Sequence, residues 1–135
     1  MKENFNNIEE IVEYLENYEK ASYYNKKPEI NEKTDETTYY FGGLIYDSKI
    51  FKIPSFLLEN NYIFKEYYNR EKYPEFFKED WHTWNYENID VARISYLILR
   101  TYNVERMCEG AINNLASSGI LLKLIKRSIE LKDNN

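Results

Sequence analysis

A chain of 135 residues fits one domain that can bury about two-thirds of its unfolded surface, and its single cysteine, Cys108, excludes an internal disulfide and a cysteine-based zinc site. Eighteen Lys and Arg against 23 Asp and Glu leave a net charge of −5, which argues against bulk binding to phosphate backbones, because displacing counterions needs a basic surface. No stretch approaches the roughly 18 apolar residues of a membrane span, and Met1 to Glu10 lacks the apolar run of a secretory leader, so the chain reads as cytoplasmic with no membrane partner.

The charge is uneven. Residues 1–90 carry 11 Lys and Arg against 19 Asp and Glu, a net of −8, whereas residues 91–135 carry 7 against 4, a net of +3. The two halves can attract each other within one fold, or the basic tail can offer a small anion-binding face. Fourteen tyrosines and seven phenylalanines, beside many Asn, Lys and Ile, follow the codon bias of AT-rich DNA. Tyrosine-rich cores are workable because the ring buries apolar area while the hydroxyl stays near water or finds a partner.

In chain order, Ile8, Ile11, Val12, Leu15 and Tyr18 recur at helical spacing among five glutamates, which predicts an amphipathic helix over 8–22 opened by Asn7 with Glu10 three residues later. Residues 25–38 lack an apolar period and read as loop. Two β-prone runs, 39–46 and 49–53, flank Asp47-Ser48 and suggest a hairpin, with Gly42-Gly43 as a bulge or bend within the first. A helix over 57–70, closed by Pro74, places Leu57, Phe64, Tyr67 and Tyr68 on one face.

Phe76 to Trp84 is too short and too aromatic for a long helix, and predicts one or two helical turns pressed onto the core. Asn88 can cap a helix to about Thr101 whose apolar residues, Val91, Ala92, Ile94, Tyr96, Leu97, Ile98 and Leu99, surround it almost completely, marking it as central. Arg93 and Arg100 form its one polar stripe. The next helix carries Val104, Met107, Cys108, Ala111, Ile112 and Leu115 on an apolar face, with Arg106, Glu109 and Asn113 opposite. Ser117-Ser118-Gly119 breaks it, and 120–131 forms the last helix, with Lys123, Lys126 and Arg127 along one edge. The expected fold is one mainly α domain of about five helices with a minor β-hairpin: 1–38 as N-terminal helix and loop, 39–131 as core.

Both tryptophans and the only histidine lie within Asp80-Trp81-His82-Thr83-Trp84. Asp80, among bulky aromatics, could have its pKa raised by desolvation and act as a general base; equally, it could cap the turn beginning at Trp81. Trp81 and Trp84, three apart, share a side of a turn and serve as a core plug or a stacking platform. His82 then points to solvent, and with no second histidine and no cysteine pair no metal site is expected. A Cys108–His82 dyad would need an exposed thiol, whereas Cys108 is predicted on an apolar face. Arg106 and Glu109 can pair on one helix, or join Arg93 or Arg100 and Asp80 in a partly buried network beneath the tryptophans.

These elements resemble a known group. Asp80-Trp81-x-x-Trp84, then Arg106-Met107-Cys108-Glu109-Gly110, then Ser118-Gly119 leading into Leu121, Leu124, Lys126 and Arg127, resemble an uncharacterised domain-of-unknown-function family of small bacterial and phage proteins, over roughly 39–131. In that family a Phe-Asp-Trp-x-x-Trp element precedes an Arg-x-x-Arg-Phe-x-Glu-Gly element and a terminal helix. Here Glu79 replaces the Phe before Asp-Trp, Asn103 the first arginine and Met107 the second Phe, so a two-arginine clamp at 103 and 106 is lost. The resemblance implies no catalytic residue. It implies that Asp80, Trp81, Trp84, Arg106, Glu109 and Gly110 belong to one unit, and a phage or mobile-element origin.

The function expected is a non-enzymatic protein-binding module without a cofactor, its acidic, tyrosine-rich surface supplying rigid contact area. The alternative is a small nucleotide- or anion-binding protein or enzyme, with Asp80 or Glu109 as base and Trp81, Trp84, Arg100 and Arg106 as ligand contacts. Nucleic-acid binding through Lys123, Lys126 and Arg127 is a third class, opposed by the net charge.

Overall fold

The computed structural model describes residues 4–19, 22–23, 29–31, 36–38 and 44–134. Among these, six α-helices and two small antiparallel strand pairs form a mainly α domain. Helix α1, Ile8–Glu16, starts where Asn7 Oδ1 accepts from the Glu10 amide at 2.9 Å, and the Glu10 carboxylate reaches back to the backbone and side-chain N–H groups of Asn6, at 3.0 Å each. Ile8, Ile11 and Leu15 are its buried stripe, and it ends at Asn17, five residues short of the expected end at 22.

Strands β1 (Ser22–Tyr23), β2 (Glu29–Asn31) and β3 (Glu36–Thr38) precede β4 (Leu44–Ile45); β2 pairs with β3 and β1 with β4. The segment read as loop over 25–38 therefore contains a strand pair. The predicted hairpin over 39–53 does not form: β4 pairs backwards to β1, and Ser48–Lys52 is a 3-10 helix. Asp47 decides this, because its Oδ1 accepts from the Lys49 amide at 3.0 Å, so Asp-Ser starts a helical turn instead of reversing a strand. Gly42 and Gly43 lie outside the described residues.

Helix α2, Ile53–Glu59, has Pro54 in its first turn and stops at Asn60, followed by Asn61 in the left-handed region at φ 61°. The expected helix over 57–70 is thus cut after two turns, and Lys65–Tyr67 returns as a separate 3-10 turn against the central helix. Pro74 opens helix α3, Pro74–Lys78, and does not close the preceding segment as expected. The 3-10 turn Trp81–Thr83 follows.

Helix α4, Val91–Val104, is the centre of the domain. Its cap is Asp90, whose Oδ1 accepts from the Arg93 amide at 2.8 Å; Ile89 is buried, which moves the start two residues past Asn88. Ile94, Leu97 and Ile98 are fully buried, and α4 packs against both later helices and the 65–67 turn. Ser95 is buried too: its hydroxyl donates to the Val91 carbonyl at 2.7 Å and accepts from the Phe64 amide at 2.9 Å, pinning that turn to the helix. Tyr102 donates to the Ile50 carbonyl at 2.8 Å, and burial pushes its hydroxyl pKa well above the ordinary value.

The chain does not continue as a helix from Val104 to Leu115. It unwinds over 105–110, and helix α5, Ala111–Ser117, restarts at Gly110, whose φ of 102° is open to glycine and strained for other residues. The restart overturns the helical face expected there: Met107 is 95% exposed and Cys108 is exposed, while Asn113, assigned to the polar face, is buried. Gly119, at φ 85°, separates α5 from α6, Ile120–Asp133, near the expected boundary. Leu121, Leu124 and Ile125 bury α6 against α4 and α5, with α1 laid across it. No helix among the described residues is long and apolar enough to cross a membrane.

Candidate functional site

The Asp80 to Trp84 segment is held by its own polar groups. Asp80 Oδ1 accepts from the His82 amide at 3.0 Å, the Thr83 hydroxyl donates to the Asp80 carbonyl at 2.6 Å, and the Tyr86 hydroxyl donates to the Trp81 carbonyl at 2.7 Å. His82 Nδ1 also meets Asp80 Oδ1, at 2.9 Å. The two His82 contacts, the imidazole one foremost, hold the Asp80 carboxyl below the usual carboxylate range. Asp80 is exposed, and its pKa moves opposite to the expected rise. An ionised acceptor at Nδ1 makes that nitrogen the donor.

The two tryptophans part company. Trp84 turns towards Tyr96, at 6.1 Å between ring centroids, with Arg93 5.8 Å from its ring. Arg93 forms a two-pronged pair with Glu79, at 3.0 Å and 2.9 Å, a further bond to Asp90 at 2.8 Å, and a contact with the Phe76 ring. Glu79 is therefore the residue that clamps α3 to the start of α4. The Arg93 bond holds its carboxyl below the ordinary glutamate range. A folded pKa below the unfolded one means that this contribution is present above about pH 4.5 and is lost as pH falls through the depressed value. Glu79→Gln is expected to lose about 1–2 kcal/mol at neutral pH. Urea denaturation should show the gap to the wild type closing at pH 3; a gap unchanged there would rule the pair out as its source.

Trp81 faces the other way. Its ring stacks on His82 at 3.7 Å, and the Arg100 guanidinium lies 5.9 Å from its centroid. Beyond it opens a cleft of about 390 Å³ between this turn, α4, the 105–110 bend and the α5–α6 junction. Val104, Ala111, Leu115 and Ile120 supply its apolar wall, and His82, Arg100, Glu109 and Asn114 its polar groups. The size suits a small ligand or one or two residues of a peptide.

Of the residues singled out from sequence, the cleft gathers Trp81, Arg100 and Glu109. Trp84 belongs to the Arg93 cluster instead. Arg106 is exposed, and no ion pair joins it to Asp80 or Glu109 among the described residues. Glu109 accepts from the Leu44 amide through Oε1, anchoring the start of β4. Arg100 differs from its neighbours: Arg93 pairs with two carboxylates and Arg127 with Glu130, whereas Arg100 pairs with none among the described residues. Cys108 opens onto this cleft beside His82, contrary to the buried position expected, although no hydrogen bond joins thiol and imidazole. No group of three or more His, Cys, Asp or Glu side chains among the described residues is placed to hold a metal ion.

The residue that sequence reasoning missed is Glu105. Its Oε1 accepts from the Tyr46 hydroxyl and the Ile112 amide, and its Oε2 from the Gly110 amide, all at 2.8 Å. Tyr46 in turn accepts from the Asn113 amide at 3.0 Å, and Asn113 Oδ1 accepts from the Tyr18 hydroxyl at 2.7 Å. Burial first, and then the bond to Glu105, push the Tyr46 hydroxyl upward in pKa. This network sets the 105–110 bend and hence one rim of the cleft. A detectable signal was Gly110, whose freedom to take a left-handed backbone lets the helix stop there.

Two other depressions are committed elsewhere. The larger, about 720 Å³ between α1 and residues 45–49, is rimmed by Glu10, Glu13, Glu19 and Asp47, and its Tyr18 and Tyr46 hydroxyls are engaged in the network just described. The smaller, about 340 Å³, holds Lys123, Lys126 and Arg127, but Arg127 already bonds the Ile89 carbonyl and Glu130.

A family model described as a family of unknown function, DUF6508, matches residues 1–134, and the chain belongs to that family. The match takes in α1 as well as the 39–131 stretch that carried the resemblance. No curated protein and no solved structure matches.

Proposed function

We propose that this member of the DUF6508 family is a non-enzymatic interaction module, of bacterial or phage origin, that engages a protein partner through the cleft beside Trp81. The observation that carries the reading is Arg100, a partly buried cation with no carboxylate partner among the described residues, set between an aromatic lip and an apolar wall. Those are recognition groups: a ring to stack on, a charge to neutralise and a surface to dry. The candidate bases have other work, since Asp80 caps its turn with a depressed pKa and Glu109 anchors β4.

Asn114 is exposed at the cleft mouth on α5, so Asn114→Trp obstructs the opening without disturbing the core. Wild-type protein incubated with lysate of its native host is expected to retain a partner that Asn114→Trp does not. A partner kept equally by both, or a monomer with no partner in either case, would sink the reading.

A second reading, a small nucleotide or anion held by Arg100 with a base stacked on Trp81, draws on the same pair of side chains. If no nucleotide raises the wild-type melting temperature, or one raises it equally in Arg100→Gln, the reading is removed; wild-type stabilisation that is lost in that variant would favour it, by about 2.7 kcal/mol at 100 times Kd.

A further inference from the structure

Resting on the reading of the cleft as a protein-binding surface, we propose that its occupant is the C-terminal residue of a partner polypeptide, with an apolar side chain and a free α-carboxylate. Arg100 supplies the cation: it bonds the Tyr96 side chain and lies against the Trp81 ring, neither of which carries a counter-charge, and it has no carboxylate partner among the described residues, so a ligand carboxylate can meet its charge. A guanidinium offers parallel donors that match a carboxylate in two-pronged fashion. Leu115 and Ile120 line the wall that an apolar side chain would dry. Glu109 lines the same cleft but is not paired with Arg100, and only its Oε1 is used, by the Leu44 amide. Its Oε2 is an acceptor for a peptide N–H.

A chain terminus carries a carboxylate, a side chain and an N–H on one α-carbon, so a single residue meets the cation, the wall and the acceptor together. An internal Asp or Glu carries its anion at the end of the side chain and leaves the apolar wall to a different residue. Capture of chain termini by their charged group is an established mode of peptide recognition. A cleft of about 390 Å³ holds one large residue and part of the next.

The test uses N-acetylated hexapeptides ending in Leu, Ile, Phe or Tyr, each as free acid and as C-terminal amide, titrated into the full chain by calorimetry. The expected result is that at least one free acid binds and that its amide binds about ten- to hundredfold more weakly, the loss of a charge-assisted bond. Arg100→Gln should erase the difference between acid and amide while circular dichroism stays unchanged. Asn114→Trp, which leaves Arg100 in place, should abolish binding of both.

Equal affinity of acid and amide, or no binding by any peptide, would overturn the proposal. So would N-acetyl-leucine binding as tightly as the hexapeptide, which would make the occupant a small acylated amino acid. Equal acid and amide affinities that are both lost in Asn114→Trp would refute the carboxylate proposal and keep the cleft as interface. A lysate partner indifferent to Asn114→Trp would refute the interface itself.

Discussion

Glu105→Ala is expected to destabilise the protein by about 3 kcal/mol, a fall in melting temperature of roughly 10 °C for a domain of this size. The glutamate accepts three hydrogen bonds at 2.8 Å, from the amides of Gly110 and Ile112 and from the Tyr46 hydroxyl. Two of those donors are N-terminal amides of α5, a helix whose cap residue is a glycine with no side chain to offer. Glu105 is therefore the cap of α5, supplied from five residues upstream of Gly110. Truncating it leaves two amides and a partly buried hydroxyl to be satisfied by water at the edge of the core. Glu105→Gln keeps one acceptor oxygen and should lose about half as much. Tyr46→Phe removes the link to Glu105 and Asn113, and in a double-mutant cycle its cost should overlap with that of Glu105→Ala, because the two share a bond. Urea denaturation of the four proteins measures this directly. A Glu105→Ala protein within about 0.5 kcal/mol of wild type would show that the bend at 105–110 is held by something else.

Leu97→Ala is expected to cost about 3–4 kcal/mol, within the range seen when a fully buried leucine is truncated and its surroundings collapse only partly. Leu97 is 0% exposed on α4, the helix against which both α5 and α6 pack. By contrast, Met107→Ala should change stability by less than about 0.5 kcal/mol, since its side chain is 95% exposed. The comparison separates two architectures. In a continuous helix over 104–115, Met107 would be a core residue and its truncation would cost about 2 kcal/mol or more. With the chain unwound before Gly110, truncation costs almost nothing. Thermal denaturation followed by circular dichroism distinguishes them, and a Met107→Ala protein as damaged as Leu97→Ala would overturn the bend.

Much of the fold was legible because burial imposes a period. The stripe of Ile8, Ile11 and Leu15, the apolar girth of α4 and the break at Ser117-Ser118-Gly119 can be read directly, since helices must bury apolar faces and glycine permits the left-handed turn. The errors fall where short polar side chains compete with the backbone. Asp47 has the composition of a turn and forms a helix cap; Asn60 and Asn61 halt a helix whose apolar spacing continues to Tyr68. Periodicity also carried the predicted helix through Gly110, where a backbone at φ 102° stops it.

The candidate site was legible in part. Trp81, Arg100 and Glu109 come from three segments, and their meeting in one cleft is a matter of how α4, α5 and the 81–83 turn pack. Arg93 and Arg100 lie seven residues apart in line on one helix, and nothing local tells them apart. One is neutralised by Glu79 and Asp90, and the other faces a cleft with no carboxylate partner among the described residues, because α3 ends beside the first turn of α4 and not beside its third.

By itself, then, the sequence determined a mainly helical domain, its central helix and the aromatic segment from which a site is built, since each depends on residue spacing and on what a side chain can do to its own backbone. It took the packed chain to show that Glu105 ties the start of α5 to Tyr46 from far upstream, that Met107 and Cys108 are exposed, and that Arg100 lacks a counter-charge among the described residues. Those are properties of neighbours brought together from far along the chain. Charge pairing and burial are settled by distance in space, which spacing along one helix does not encode.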